Sequence, residues 1–124
     1  MSWLAIGLGA VLGAWLRWGL GLWLNPVHGE LALGTLAANL GGGYVIGICV
    51  ALFSAFPGLS PEWRLFAVTG FLGGLTTFST FSAEAMTLLQ RGEYGWAAMH
   101  SMLHVGGSIL CCIAGFASFK AVHS

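Results

Sequence analysis

The sequence predicts an all-helical integral membrane protein, because it is apolar, carries few charges and contains four long hydrophobic stretches. Of its 124 residues, 57% are hydrophobic and 6% are charged, whereas a soluble domain carries roughly 25% charged residues. Four stretches reach the ~20 residues that cross a bilayer as a helix; they are residues 3–24, 31–56, 63–89 and 96–119. Short connections predict an up-down bundle that forms a single transmembrane domain over residues 1–124.

The charges give little guidance on orientation. A cleaved signal peptide is disfavoured, because such a peptide begins with positive charge and residues 1–16 contain no Lys or Arg. With four spans, Arg64 and Lys120 fall on one side of the membrane, and Arg17 and Arg91 fall towards the other. The usual excess of positive charge on the cytoplasmic side is therefore missing. Two interpretations stay open: insertion in both orientations with antiparallel pairing, or a charge count too small to be informative.

The first span has a face of small residues that ends in an arginine. Gly9, Gly13, Arg17 and Gly21 are four residues apart and share that face. Stripes of small residues let membrane helices approach closely. Arg17 has three interpretations: a side chain that snorkels to the interface, a buried structural anchor, or an attractor for anions.

The second and fourth spans carry polar residues deep in apolar sequence. Asn39, one turn after Thr35, either hydrogen-bonds to another helix or lines a polar route. In the fourth span His100, His104 and Ser108 form a stripe. A histidine pair at this spacing can bind zinc, but no carboxylate or thiolate stands at convincing spacing beside it. A hydrogen-bonding stripe that faces a helix or a pore is therefore the favoured interpretation.

The third span contains the most informative segment, GFLGGLTTFSTFS at residues 70–82. The adjacent Gly73 and Gly74 weaken the helix and predict a break near residues 73–77. Backbone that leaves the helix inside a membrane is tolerated only where protein or a water-filled cavity satisfies it. Hydrophobic segments interrupted by glycine are therefore pointers to ion sites.

Polar and aromatic residues follow this predicted break on one side of the helix. Thr77, Thr80, Phe81 and Glu84 share that side, and Phe78 lies beside it. Phenyl rings have positive edges that can contact an anion. Glu84 either snorkels to the interface or guards a vestibule.

No nucleophile–base arrangement, phosphate loop or basic patch is evident, so neither an enzyme nor a nucleic-acid partner is predicted. Neutral hydroxyl, amide and imidazole donors favour a small, strongly hydrated anion. Four helices enclose little space, so an oligomer is expected.

Four motifs in order carry a family resemblance. They are GAVLGAWLR at residues 9–17, GTLAANLGG at 34–42, GFLGGLTTFSTFS at 70–82 followed by Glu84, and HVGGS at 104–108. Over essentially its whole length the chain resembles the Fluc (CrcB) family of small four-helix microbial fluoride channels.

The resemblance implies an antiparallel, dual-topology homodimer in the cell inner membrane, with two pores that export fluoride passively from the cytoplasm. It also implies a sodium ion at the dimer centre, held by the backbone carbonyls of Gly73 and Thr76. Arg17 matches the arginine of the family's first helix. The implied pore residues are Asn39, Phe78, Phe81, the hydroxyl track of Thr35, Ser79, Thr80 and Ser108, and Glu84 near the vestibule.

One departure from the family concerns the fourth span. Some members carry a tyrosine and a serine where this chain has His100 and His104. Histidine retains a hydrogen-bond donor but titrates near neutral pH. The resemblance places His104 at the pore, and it leaves open whether this side chain contacts fluoride.

Two other functions compete with the channel. A small multidrug-type, dual-topology exporter would need a membrane-embedded carboxylate, and the first span has Arg17 and no acid. A non-transporting structural subunit would use the glycine stripes for assembly alone. It would tolerate changes at Phe78, Phe81 and Thr80, which a channel would not.

Overall fold

The computed structural model describes residues 1–24 and 32–123. Four helical spans are long and apolar enough to cross a membrane, which makes the chain a multi-pass membrane protein. Leu31, where the second span was predicted to begin, lies outside the described residues. The elements are α1 (Ser2–Leu24), α2 (Leu33–Ala55), α3 (Pro61–Arg64), a π-helical segment (Leu65–Leu72), α4 (Gly73–Leu75), α5 (Phe78–Gln90) and α6 (Tyr94–His123).

The third span, Pro61–Gln90, is composite. Ser60 precedes it, and the Ser60 hydroxyl accepts a hydrogen bond from the Glu62 N–H at 3.3 Å and so caps the first turn. The π-helical segment that follows was not predicted from the sequence. At the other end Gly92, with φ of 75°, makes the left-handed turn that separates α5 from α6.

The helix breaks at Thr76 and Thr77. Both residues have extended backbones, with φ and ψ of −89° and 153° at Thr76 and of −152° and 125° at Thr77. Gly73 and Gly74, the residues expected to unwind the chain, are still helical. Gly74 is needed instead for packing, because a Cβ there would lie 3.1 Å from the Cα of Ala10. The break therefore comes at the threonines that follow the glycines.

Glycines also set the approach of α1 to the first half of the third span. A Cβ on Gly9 would lie 2.7 Å from the backbone nitrogen of Phe71, and one on Gly13 would lie 2.7 Å from that of Leu75. From the other side, a Cβ on Gly70 would lie 2.6 Å from the Ile6 carbonyl oxygen. The predicted small-residue face of the first span is thus a contact between two backbones.

The other close pair is α2 and α6. A Cβ on Gly43 would lie 2.8 Å from the Ser108 carbonyl oxygen. Gly47 meets the Cys112 backbone and Gly115 meets that of Tyr44, where no Cβ would fit. The second half of the third span, α5, packs on α6. Its side chains therefore meet those of α2 and α6 near the helix break.

Large apolar side chains cover the outside. Trp3 and Trp23, at opposite ends of α1, are 74% and 72% exposed, as expected of tryptophans that lie at the two membrane surfaces. The small core contains Ala38, Leu72 and Leu75, which lie near the break. The described protein thus has an apolar outside and a polar group of residues between its helices.

Candidate functional site

The exposed backbone of the break is bonded by one side chain, Asn39. The Thr77 N–H donates to Asn39 Oδ1 at 2.8 Å, and Asn39 Nδ2 donates to the Thr77 carbonyl at 3.2 Å. The amide therefore replaces, on both sides of one residue, the hydrogen bonds that the helix loses. For Thr77, this satisfies the requirement that intramembrane backbone outside a helix be bonded within the protein.

Two carbonyls of the third span lose their usual helical donors. In an α-helix the Thr77 N–H would bond to the Gly73 carbonyl and the Thr80 N–H to the Thr76 carbonyl. Here the Thr77 N–H is directed to Asn39 and the Thr80 N–H to the Thr77 hydroxyl, at 3.2 Å. Gly73 is also exposed on the face of the break. Gly73 and Thr76 are the residues at which the sequence resemblance implied cation ligands.

A third carbonyl beside the break is bonded by Arg17. Its Nε donates to the Gly74 carbonyl at 3.1 Å. Arg17 also lines a cleft of about 270 Å³ together with Thr35, Thr80 and Glu84. Of the three interpretations of Arg17, the hydrogen bond favours the structural anchor, and the cleft keeps the side chain near the polar residues.

Glu84 is tied to two other helices. The Thr35 hydroxyl donates to Glu84 Oε2 at 2.7 Å, and His100 Nε2 lies 3.5 Å from Glu84 Oε1. The side chain of Glu84 is only 21% exposed, so snorkelling does not describe it. The expectation that no carboxylate stands beside the histidine pair was wrong. The α5–α6 contact brings Glu84 to the histidines from a distant part of the sequence.

The two histidines are buried against Phe81. The Phe81 ring centroid is 5.2 Å from that of His100 and 4.9 Å from that of His104, and the two imidazoles are 4.4 Å apart. His100 and His104 are 1% and 4% exposed. His104 Nδ1 lies 2.9 Å from Asn39 Nδ2, so the histidines connect the break to Glu84. We call the residues that run from the break to Glu84 the polar seam. They are Thr35, Asn39, Thr77, Glu84, His100 and His104.

The remaining sequence-predicted residues lie around this polar seam. Phe78 is 75% exposed in the single chain and stands 5.2 Å from Phe81, between ring centroids. Ser108 Oγ lies 3.5 Å from the Asn39 carbonyl oxygen. Ser79 is exposed, and its hydroxyl lies 3.2 Å from that of Thr77. The predicted hydroxyl track is therefore divided: Thr35 and Thr80 line the Arg17 cleft, whereas Ser108 and Phe78 line a second cleft of about 380 Å³ beside the break.

Sequence reasoning underrated His100 and Thr77. His100 was placed on the polar stripe but not among the site residues, although it is the most buried large side chain described. The signal that could have found it was its spacing of four residues from His104. Thr77 contributes mainly its backbone, and no side-chain pattern in the sequence reveals such a role.

The structure therefore defines a small, four-span membrane protein whose third span is broken and whose break is bonded to a partly buried polar seam. A family model described as "CrcB-like protein, Camphor Resistance (CrcB)" matches residues 4–116. The chain belongs to this family.

Curated relatives agree with the family assignment. A protein of Pseudomonas putida (strain W619) named "Fluoride-specific ion channel FluC" is 61% identical over 118 residues, which cover 95% of this chain and 93% of the relative. A protein of the same name from Cupriavidus pinatubonensis is 55% identical over 120 residues, or 97% of this chain and 95% of the relative. The similarity therefore covers all four spans.

Proposed function

We propose that this protein is a fluoride-selective, passive anion channel of the cell inner membrane that exports fluoride from the cytoplasm. The observation that carries the proposal is the polar seam, a partly buried row of hydrogen-bonding side chains in a family member whose relatives are named fluoride-specific channels. Because such relatives are channels and the polar seam holds no nucleophile–base arrangement, an enzymatic role is not proposed.

The chemistry of the site suits fluoride. Fluoride is small and strongly hydrated, so a route through the membrane must replace its water with closely spaced donors. Hydroxyl and imidazole groups supply such donors without fixed negative charge. Phe78 and Phe81, with centroids 5.2 Å apart and planes tilted by 50°, can present positive ring edges to an anion.

The proposed route follows two clefts, one beside the break and one beside Arg17. Phe78 and Ser108 would serve the end beside the break, and Thr35, Thr80 and Glu84 the end beside Arg17. The exposed Ser79 follows Phe78 directly in the chain. Asn39 lines the cleft beside the break, and its bond to His104 leads from that cleft towards Glu84. Glu84 would repel an anion, but the Thr35 hydroxyl and the neighbouring His100 reduce this repulsion by bonding or facing the carboxylate.

A second copy of the chain is part of the proposal. The face that carries the break exposes Gly73, Phe78 and Ser79 in the single chain. Lipid cannot satisfy the carbonyls released there, so protein must cover them. An antiparallel homodimer would do so, and the even distribution of Lys and Arg over the two sides permits opposite insertion. Such a dimer would contain two pores.

The same face fits a sodium ion. The Gly73 and Thr76 carbonyls have lost their usual helical donors, and carbonyl oxygens can replace the hydration shell of an alkali cation. Two carbonyls from one chain are too few to enclose a cation, and a second chain doubles their number. Sodium held there would supply fixed positive charge between the chains.

The test is fluoride efflux from liposomes that contain the purified full-length protein, followed with a fluoride electrode. We expect rapid fluoride loss once a potassium ionophore balances the charge, and no chloride loss in parallel liposomes. The matched control is the Phe81→Ala variant at equal protein content, which should lose most of the flux.

Each other outcome would contradict the proposal in its own way. Absence of flux from a verified dimer in sodium would leave a non-transporting subunit. Efflux that needs a protonophore rather than the potassium ionophore would indicate proton-coupled exchange through Glu84 and the histidines. Efflux of a cationic dye would indicate a multidrug-type exporter.

A further inference from the structure

The protonation of His104 follows from the way the break is bonded. The two hydrogen bonds between Asn39 and the Thr77 backbone fix which end of the amide is oxygen and which is nitrogen. The amide nitrogen then lies 2.9 Å from His104 Nδ1. An amide nitrogen only donates, so Nδ1 must accept, and a neutral imidazole then carries its proton on Nε2.

This Nε2–H is buried in the polar seam. Among the described residues, two buried side-chain polar atoms have no hydrogen-bond partner: Nε2 of His104, which is a donor, and Oε1 of Glu84, which is an acceptor. Leaving a buried donor without an acceptor destabilises the folded protein. The free N–H of His104 can be satisfied by a ligand that accepts a hydrogen bond. An anion is such a ligand.

The same three side chains would otherwise form a cation site. One ligand atom from each of Glu84, His100 and His104 lies within 4.8 Å of the others. Two histidines and a carboxylate are a common ligand set for zinc. Zinc, however, needs the nitrogen lone pair. For His104, Nδ1 is occupied by Asn39, and Nε2 carries the proton.

We propose that Asn39 is a positioning residue that holds His104 in the Nε2–H tautomer, so that this cluster presents an N–H donor to a small anion and rejects divalent metal ions. That the anion is fluoride rests on the proposed function. Asn39 then acts on the anion through His104, because its oxygen and nitrogen are already used by Thr77 and His104.

The first test reads the tautomer directly. Nitrogen NMR of the full-length protein, labelled at histidine and held in lipid nanodiscs, distinguishes protonated from unprotonated ring nitrogens. A His104→Gln variant assigns the signals, and His100 serves as the internal control. We expect His104 to be protonated at Nε2 and not at Nδ1, with fluoride shifting the Nε2 signal. A proton on Nδ1 would overturn the proposal.

The second test uses Asn39→Asp to favour the opposite tautomer of His104. The new carboxylate can still accept from the Thr77 N–H, and it favours a proton on Nδ1, which frees Nε2 for metal. Carboxylates that bond a metal-bound histidine in this way change metal affinity by about 10–100-fold. We therefore expect purified Asn39→Asp in lipid nanodiscs to bind zinc at least ~10-fold more tightly than the parent, as measured by calorimetry.

The control separates zinc binding at this cluster from zinc binding elsewhere on the protein. Asn39→Asp combined with His100→Gln should lose the tighter zinc binding, because one ligand is gone. Equal zinc affinity of parent and Asn39→Asp, with the variant shown to be folded, would overturn the proposal. If Asn39→Asp does not fold, the NMR measurement on the parent decides.

Failure of this inference is distinguishable from failure of the proposed function. A parent protein that conducts fluoride but carries the His104 proton on Nδ1 would refute the tautomer alone. A parent protein that has the expected tautomer but moves no fluoride would refute the channel and leave the positioning role of Asn39 supported.

Discussion

The two halves of the third span differ in what holds them in place. Residues 61–75 pack on α1 through backbone contacts at glycines, so their position depends on the absence of side chains. The second half, α5, is held by side chains, because Glu84 bonds to Thr35 and Phe81 packs on both histidines. The first half therefore sets the position of the break, and the second half carries the polar and aromatic side chains of the site. Substitutions in the two halves should fail in different ways.

The largest expected effect is on the glycine-packed half. Gly13→Val places side-chain atoms where the backbone of Phe71 and Leu75 already lies. We expect the free energy of unfolding to fall by about 3 kcal/mol, at the upper end of overpacking costs. Thermal unfolding in detergent measures this. Gly19→Val is the control, because Gly19 faces open space in the single chain. Equal melting temperatures of the two variants would contradict the packing role.

Phe81→Ala should affect both stability and transport. The ring is 8% exposed and contacts both buried imidazoles. Its removal should cost about 3 kcal/mol of stability, the lower end for buried phenylalanine. Fluoride efflux should fall at least ~10-fold, which corresponds to ~1.4 kcal/mol on the barrier. Phe56→Ala, at a residue 48% exposed, is the control. Parental conduction by folded Phe81→Ala would show that the proposed route is wrong.

Thr35→Val tests the bond that orients Glu84. The substitution keeps the shape of the side chain but removes the 2.7 Å hydrogen bond to the carboxylate. Hydrogen bonds to charged groups contribute about 1.5–3 kcal/mol, so we expect a stability loss in this range and a several-fold lower efflux. In the control Thr87→Val, the lost hydroxyl bonds only to the Ala83 carbonyl of its own helix. Identical efflux from both variants would exclude Thr35 from the route.

Arg17→Lys gives the smallest expected effect and separates anchoring from attraction. Lysine keeps the charge but cannot reproduce the guanidinium Nε bond to the Gly74 carbonyl. We expect a stability loss of about 1 kcal/mol, typical of one hydrogen bond. Arg91→Lys, at an exposed residue, is the control. If Arg17→Lys is as stable as the parent and conducts normally, Arg17 acts only as a positive charge.

Much of the architecture was predictable from local sequence. Composition and hydropathy indicated four membrane-spanning helices, because both properties are read from consecutive residues and need no knowledge of tertiary contacts. The spacing of four residues between Gly9 and Gly13 indicated a close helix contact, and the structure confirms it. The break was predicted near residues 73–77, and it lies at Thr76 and Thr77. Periodicity succeeds here because a helix face is a property of a single helix.

Only the tertiary structure decided which polar groups meet. Helical spacing predicted that Asn39 lies on a polar face of α2. Its hydrogen bonds to the Thr77 backbone, however, depend on the position of α2 beside the break. Likewise, nothing in the local sequence pairs Glu84 with His100, which belong to different helices. Such contacts depend on the register and separation of neighbouring helices. The register and the separation of the helices are set by the positions at which glycines let two backbones approach. The sequence therefore determines which donors and acceptors are present, and the packing of the helices determines which of them bond to each other.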